Sequence, residues 1–145
     1  MIQRIQSIYF FLAAVCFGIL FVLPMALSDQ AEGSFLADQI YTISDHFALL
    51  LLTILGTFMA LISIFLYRSR PLQIKLGYVL LLLAIATPLI AYLLLNQQTA
   101  VMDKTIHVDL QPGMLAPLGG LLFGALAIFN IRKDEKLVKS MDRLR

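Results

Sequence analysis

Charge is scarce in this chain and absent where it would be most informative. Charged residues make up 14% of the 145 residues, where a soluble domain keeps roughly a quarter. Four long apolar runs, about 5–27, 46–67, 76–95 and 114–131, hold no Asp, Glu, Lys or Arg in their interiors. An ionisable group inside a membrane is costly and is kept for function. Charge-free runs therefore weigh against a channel that selects by side-chain charge, a proton relay and an intramembrane protease. Trp is missing altogether, which removes one kind of interfacial anchor and leaves Tyr9, Tyr41, Tyr67, Tyr78 and Tyr92 for that place. The single cysteine, Cys16, cannot form an intramolecular disulfide and reads as a small apolar side chain in the first run. No Ser, His and Asp or Cys and His arrangement suggests nucleophilic catalysis, so no enzyme and no cofactor are expected. No repeat relates the first pair of runs to the second, which leaves inverted-repeat transport unsupported.

Hydrophobic residues, by contrast, reach 60%, with a mean hydropathy of +0.88. A bilayer core about 30 Å thick asks for about 20 apolar residues per helix, because every backbone polar group must be satisfied within the segment. The four runs meet that demand. The expected fold is an all-α membrane protein, one domain over 1–145, with four transmembrane helices in an antiparallel bundle and a tail at 132–145. The first run is too long for a signal-peptide core of about 7–15 residues, so it is expected to stay as a helix.

Basic residues set the expected orientation. Arg4, then Arg68, Arg70 and Lys75, then Arg132, Lys133, Lys136, Lys139, Arg143 and Arg145 make ten of the 11 Lys and Arg. Only Lys104 falls in the first or third connection. Six acids, Asp29, Glu32, Asp38, Asp45, Asp103 and Asp109, lie in those connections, against Asp134, Glu135 and Asp142 in the tail. Lys and Arg in short loops stay on the cytoplasmic side, which places both termini there.

Those termini carry the one specific resemblance. Met1 to Tyr9 (MIQRIQSIY) and Ile131 to Arg145 (IRKDEKLVKSMDRLR) resemble the ends of a family of small four-helix membrane proteins from the Bacteroidota, catalogued as domain of unknown function 4293. The resemblance extends to length and helix count. It implies a bacterial inner membrane and brings no activity with it.

The fourth run is rich in small residues. Ala116, Gly120 and Gly124 recur every four positions beside Gly119 and Ala127, giving a bare face on which another helix can approach closely, the arrangement that drives association in lipid. Ala14 with Gly18, and Gly56 with Ala60, offer matching partners within the chain; a separate subunit is the other candidate. In the tail, Leu137, Val138, Met141 and Leu144 follow spacings of three and four with Lys136, Lys139, Arg143 and Arg145 around them, and Glu135 stands at i, i+4 from Lys139. This basic amphipathic helix fits anionic lipid headgroups or a cytoplasmic protein partner. Nucleic acid is not expected, since the basic charge lacks interleaved aromatics.

The outward connections, 28–45 and 96–113, are long enough for a small cap. Thr105 to Leu110 alternates as a strand would, Phe35, Ile40 and Tyr41 could pack on it, and one or two strands are expected. His107 and Asp109, with Asp45 and His46, make a weak candidate metal site, because no ligand spacing is diagnostic. Pro88, following Thr87, could kink the third helix, with packing by neighbouring helices as the ordinary explanation. Together these features favour an accessory or structural subunit of a larger inner-membrane complex of secretion or respiratory type. A small stand-alone transporter or lipid-handling protein, with Thr87, Pro88 and Asn130 near its path, is the alternative.

Overall fold

The computed structural model describes residues 3–29, 38–100 and 107–142. Four helices dominate: α1 (Gln3–Gly18), α2 (Phe47–Phe65), α3 (Arg70–Thr99) and α4 (Pro112–Asp142). Three short strands, β1 (Ala26–Ser28), β2 (Ile40–Tyr41) and β3 (Val108–Leu110), lie between them. Helix α1 tightens into a 3₁₀ turn at Ile19–Phe21, and a similar turn at Leu66–Arg68 joins α2 to α3. So short a joint forces α2 and α3 to lie antiparallel.

Helices α1 and α3 each pack on both α2 and α4, which arranges the four as a ring. Each contributes one inward stripe at spacings of three and four residues, as a helix with 3.6 residues per turn requires. On α1 and its final turn the stripe is Gln6, Phe10, Ala13, Phe17 and Leu20. It is Leu49, Thr53, Gly56, Ala60 and Ser63 on α2, and Gln73, Gly77, Leu80, Ala84, Thr87, Ala91 and Leu95 on α3. On α4 it runs through Met114, Gly120, Gly124, Ala127 and Ile131 to Asp134. Buried hydroxyls on these stripes turn back on their own helices: Thr53 donates to the Leu49 carbonyl and Thr87 to that of Leu83, both at 2.8 Å.

Phe17 occupies the middle of the ring. Its side chain is fully buried, with one edge over Gly56, where an added Cβ would collide with the ring, and the other over Gly120, where a Cβ would come to 3.0 Å from Cε2. Contacts above and below keep the same antiparallel register. Gln6 meets Asp134 at one end of the α1–α4 seam, and Gly113 lies against the Pro24 carbonyl at the other.

The strands close the end of the bundle opposite the α2–α3 turn. Strand β1 is central, pairing antiparallel with β2 (Ala26 with Tyr41, Leu27 with Ile40) and with β3 (Ala26 with Leu110, Leu27 with Asp109, Ser28 with Val108). Tyr41 is fully buried, and its hydroxyl donates to the Ala91 carbonyl of α3 at 3.3 Å. The sheet is thereby bolted to a helix.

Several expected boundaries move. The first apolar run stops being helical at Phe21, and its last residues are the central strand. Pro24 cannot donate a helical hydrogen bond, and the Met25 N–H instead reaches the Tyr41 carbonyl at 2.7 Å. The cap therefore has three strands among the described residues, one more than the expected maximum. Strand β3 begins at Val108, while Thr105 and Phe35 fall outside the described residues. Helix α3 starts at Arg70 instead of 76 and continues to Thr99 instead of 95, running through Pro88 as one helix. Helix α4 joins the fourth run to the tail without a break. Among the described residues three helices, Phe47–Phe65, Arg70–Thr99 and Pro112–Val138, are long and apolar enough to cross a membrane, and the segment Ile5–Phe21 is shorter.

Replacing Gly56 with Ala should force the Phe17 ring to move within a site that has no slack. A loss of about 1–3 kcal/mol is expected, read as a lowered unfolding midpoint in detergent. Adding Phe17→Leu to Gly56→Ala should recover part of it. If Gly56→Ala is as stable as the parent chain, the ring does not set the helix spacing.

Candidate functional site

The small residues singled out in the sequence are engaged within the chain, with one exception: a Cβ added at Gly18 would meet nothing within 4 Å among the described residues, so no helix packs there as its pairing with Ala14 anticipated. Gly56 and Gly120 hold the two edges of Phe17, Gly124 receives the Leu81 and Leu80 side chains of α3, and a Cβ at Gly119 would lie 2.9 Å from the Cys16 Sγ. Ala60 is fully buried, and Ala116 packs at the margin of the core.

At the tail end of the bundle, charge is divided between two faces of α4. Arg132, Lys133 and Lys136 are exposed, and the Arg132 guanidinium stands 5.3 Å above the centre of the Tyr78 ring of α3, within cation–π range. The Lys139 side chain, Arg143 and Arg145 lie outside the described residues, as do the side chain of Met141 and all of Leu144. Leu137 and Val138 are both exposed, so α4 presents an uncovered apolar edge there. Asp134 faces the opposite way. Sequence reasoning placed it with the solvated tail, yet only 8% of its surface is accessible, and its Oδ2 accepts a 2.6 Å hydrogen bond from the amide of Gln6, itself 5% exposed. The signal was present as periodicity. Gln6 falls four residues before Phe10 on the inward stripe of α1, and Asp134 falls three after Ile131 on that of α4.

A second buried amide went unnoticed for the same reason. Gln73 begins the stripe of α3, is 1% exposed, and donates from Nε2 to the Ser63 carbonyl at 2.9 Å. That carbonyl is one of the last four of α2, which have no partner inside the helix. The Gln73 Oε1 has no partner among the described residues.

The four outward candidates for a metal divide by role. Asp45 accepts from the Thr42 N–H at 2.6 Å, forming a capping box, and the His46 Nδ1 accepts from the Ala48 N–H at 3.1 Å, capping α2. Both side chains thus satisfy orphan donors at helix starts. Asp109 sits exposed on β3, and His107 is exposed just before it. Among the described residues no group of three His, Cys, Asp or Glu could hold a metal ion. Thr87 and Asn130, grouped in the sequence as neighbours of a transport path, are separated. Gly77 lies against Ile128, which places Asn130 near the level of Gly77 and roughly 15 Å along the bundle from Thr87 at 1.5 Å per residue. Asn130 donates to the Leu126 carbonyl of its own helix at 2.8 Å.

From residue 2 to residue 144 the chain matches a domain of unknown function, DUF4293. The chain belongs to that family. No curated protein and no solved structure matches it. The family match spans all four helices and the three strands of the cap, so the DUF4293 domain is the bundle and its cap together.

Two substitutions address these polar contacts. Asp134→Ala leaves the buried Gln6 amide without its acceptor and should cost about 1.5–3 kcal/mol, the range for a hydrogen bond to a charged group. Asp134→Asn, which keeps an acceptor oxygen, should cost less; equal stability of all three chains in denaturant would show the pair to be idle. In the cap, burial first and the Asp45 charge second push the Tyr41 phenol up to about 12, from about 10 in an unfolded chain. Folding favours the neutral phenol. Its contribution is therefore intact below about pH 10 and lost as the pH rises from about 10 to 12. An alkaline absorbance titration should show a late ionisation that Tyr41→Phe removes, and no difference between the two chains would contradict this placement.

Proposed function

We infer that this chain is a non-enzymatic four-helix protein of a bacterial inner membrane, with both termini cytoplasmic, serving as an accessory or structural subunit of a larger membrane complex. The observation that carries the reading is the ratio of outward to inward apolar surface. In the three long helices only 28, 33 and 39% of the most apolar window is buried, and residues such as Phe58, Phe65, Leu82, Leu122 and Phe129 are more than half exposed. So much apolar surface on a small chain requires lipid or other proteins around it. Helix α2, with 19 residues, is about 28 Å long, close to the thickness of a bilayer core. The inward stripes are filled by large apolar and small residues, and among the described residues their one acidic or basic side chain is Asp134, at the tail end and bound by Gln6, which supports a packing role over catalysis or charge-coupled transport. The cap at one end and the basic, partly apolar end of α4 at the other are surfaces suited to neighbouring subunits.

Isolation of the tagged protein from its native host in mild detergent, followed by mass spectrometry, should recover a membrane partner in stoichiometric amount. Deleting residues 133–145 should reduce that recovery if the end of α4 is the contact. Recovery of only monomers or homo-oligomers would overturn the subunit reading.

A further inference from the structure

At the tail end of the bundle an open groove of about 620 Å³ runs along α4, lined among the described residues by Phe129, Arg132, Lys133, Glu135 and Lys136. Positions 129, 132, 133 and 136 are three or four residues apart and so share one face of α4. Their order along that face is chemically graded. Phe129, 65% exposed, lies on the apolar side, and the cations follow within two turns toward the chain end. A phospholipid in a bilayer has the same order, acyl chain first and phosphate beyond it. Among the described residues, three cations against the one carboxylate of Glu135 make the lining net positive. Arg132 is held in place by its stack on Tyr78, which lowers the entropy lost when it binds an anion. Asp134, the other acid of this turn, is turned into the bundle and bound by Gln6.

We propose that this groove is a binding site for one anionic glycerophospholipid, with Arg132, Lys133 and Lys136 around the phosphate and Phe129 against the first part of an acyl chain. The site rests on the reading that α4 spans a membrane, and it is independent of any partner subunit. Basic pockets at the ends of membrane helices bind anionic headgroups through charge and hydrogen bonds. Here the aromatic wall adds a requirement for the acyl chain.

Native mass spectrometry of the full chain, delipidated in mild detergent and titrated with phosphatidylglycerol or phosphatidylcholine, tests this. A one-to-one adduct with phosphatidylglycerol is expected, with weaker retention of phosphatidylcholine. Lys133→Gln and Lys136→Gln should each weaken it roughly fivefold, from the usual contribution of one basic residue near anionic lipid, while circular dichroism of each variant reports folding. Arg143→Gln and Arg145→Gln combined should leave the adduct intact. Loss of the adduct in that tail variant instead would mean diffuse attraction by the chain end and overturn the site, as would unchanged retention when Arg132, Lys133 and Lys136 are all Gln. Displacement of the lipid by millimolar inorganic phosphate would mean a soluble-anion site and overturn the lipid assignment. Single cysteines at Ser44 and Ser69 in a Cys16→Ala chain, labelled from either side of the membrane, report the membrane reading separately, so its failure and that of the lipid site are distinguishable.

Discussion

Phe17 lies between Gly56 of α2 and Gly120 of α4, and this double contact lets three helices meet around one ring. Neither glycine has a side chain to hold the ring off, so both backbones approach it closely. In lipid, where apolar side chains gain nothing by leaving their surroundings, such close approach is the main source of helix association. The rest of the bundle follows from the spacing set there. Gly113 lets α4 begin against the Pro24 carbonyl, Gly124 receives Leu81 and Leu80, and Gly77 receives Ile128. Every seam of α4 thus uses a missing side chain opposite a large one.

Apart from the Thr53 and Thr87 hydroxyls, which bond back to their own helices, the buried polar side chains lie toward the ends of this packing, where backbone demands them. Gln73 closes a C-terminal carbonyl of α2, His46 satisfies an amide donor at the start of the same helix, Asp45 caps the 3₁₀ turn Ile43–Asp45 just before it, and Tyr41 ties the sheet to α3. The Gln6–Asp134 bond closes the α1–α4 seam at the tail end. Because Asp134 is spent inward, the outward face of the same turns is left to Arg132, Lys133 and Lys136. One buried contact therefore shapes the electrostatics of the surface on the other side of the helix, the surface on which both the partner and the lipid proposals depend.

The four apolar runs were readable as helices because 3.6-residue periodicity and length leave little choice of structure. The small-residue stripe of α4 was equally plain. Its occupant was not, since spacing alone says that something packs closely and does not say what. The first run misled at its far end: residues 22–27 satisfy the composition of a helix, and only pairing with segments farther along the chain makes the last two of them part of a strand. Asp134 was missed because local charge density marks the tail as solvated, whereas its burial depends on Gln6, 128 residues away.

Sequence by itself determined the number of apolar segments, the concentration of basic residues at the ends and in the α2–α3 connection, and which face of each helix is small. These are local or compositional properties, fixed by side-chain chemistry and helical periodicity. Tertiary structure decided that Phe17 fills the glycine slot, that residues 26–28 become the central strand of the cap, and that Asp134 turns inward while its basic neighbours stay out. Each of these depends on which distant backbone comes within a few ångströms, and no local pattern carries that information.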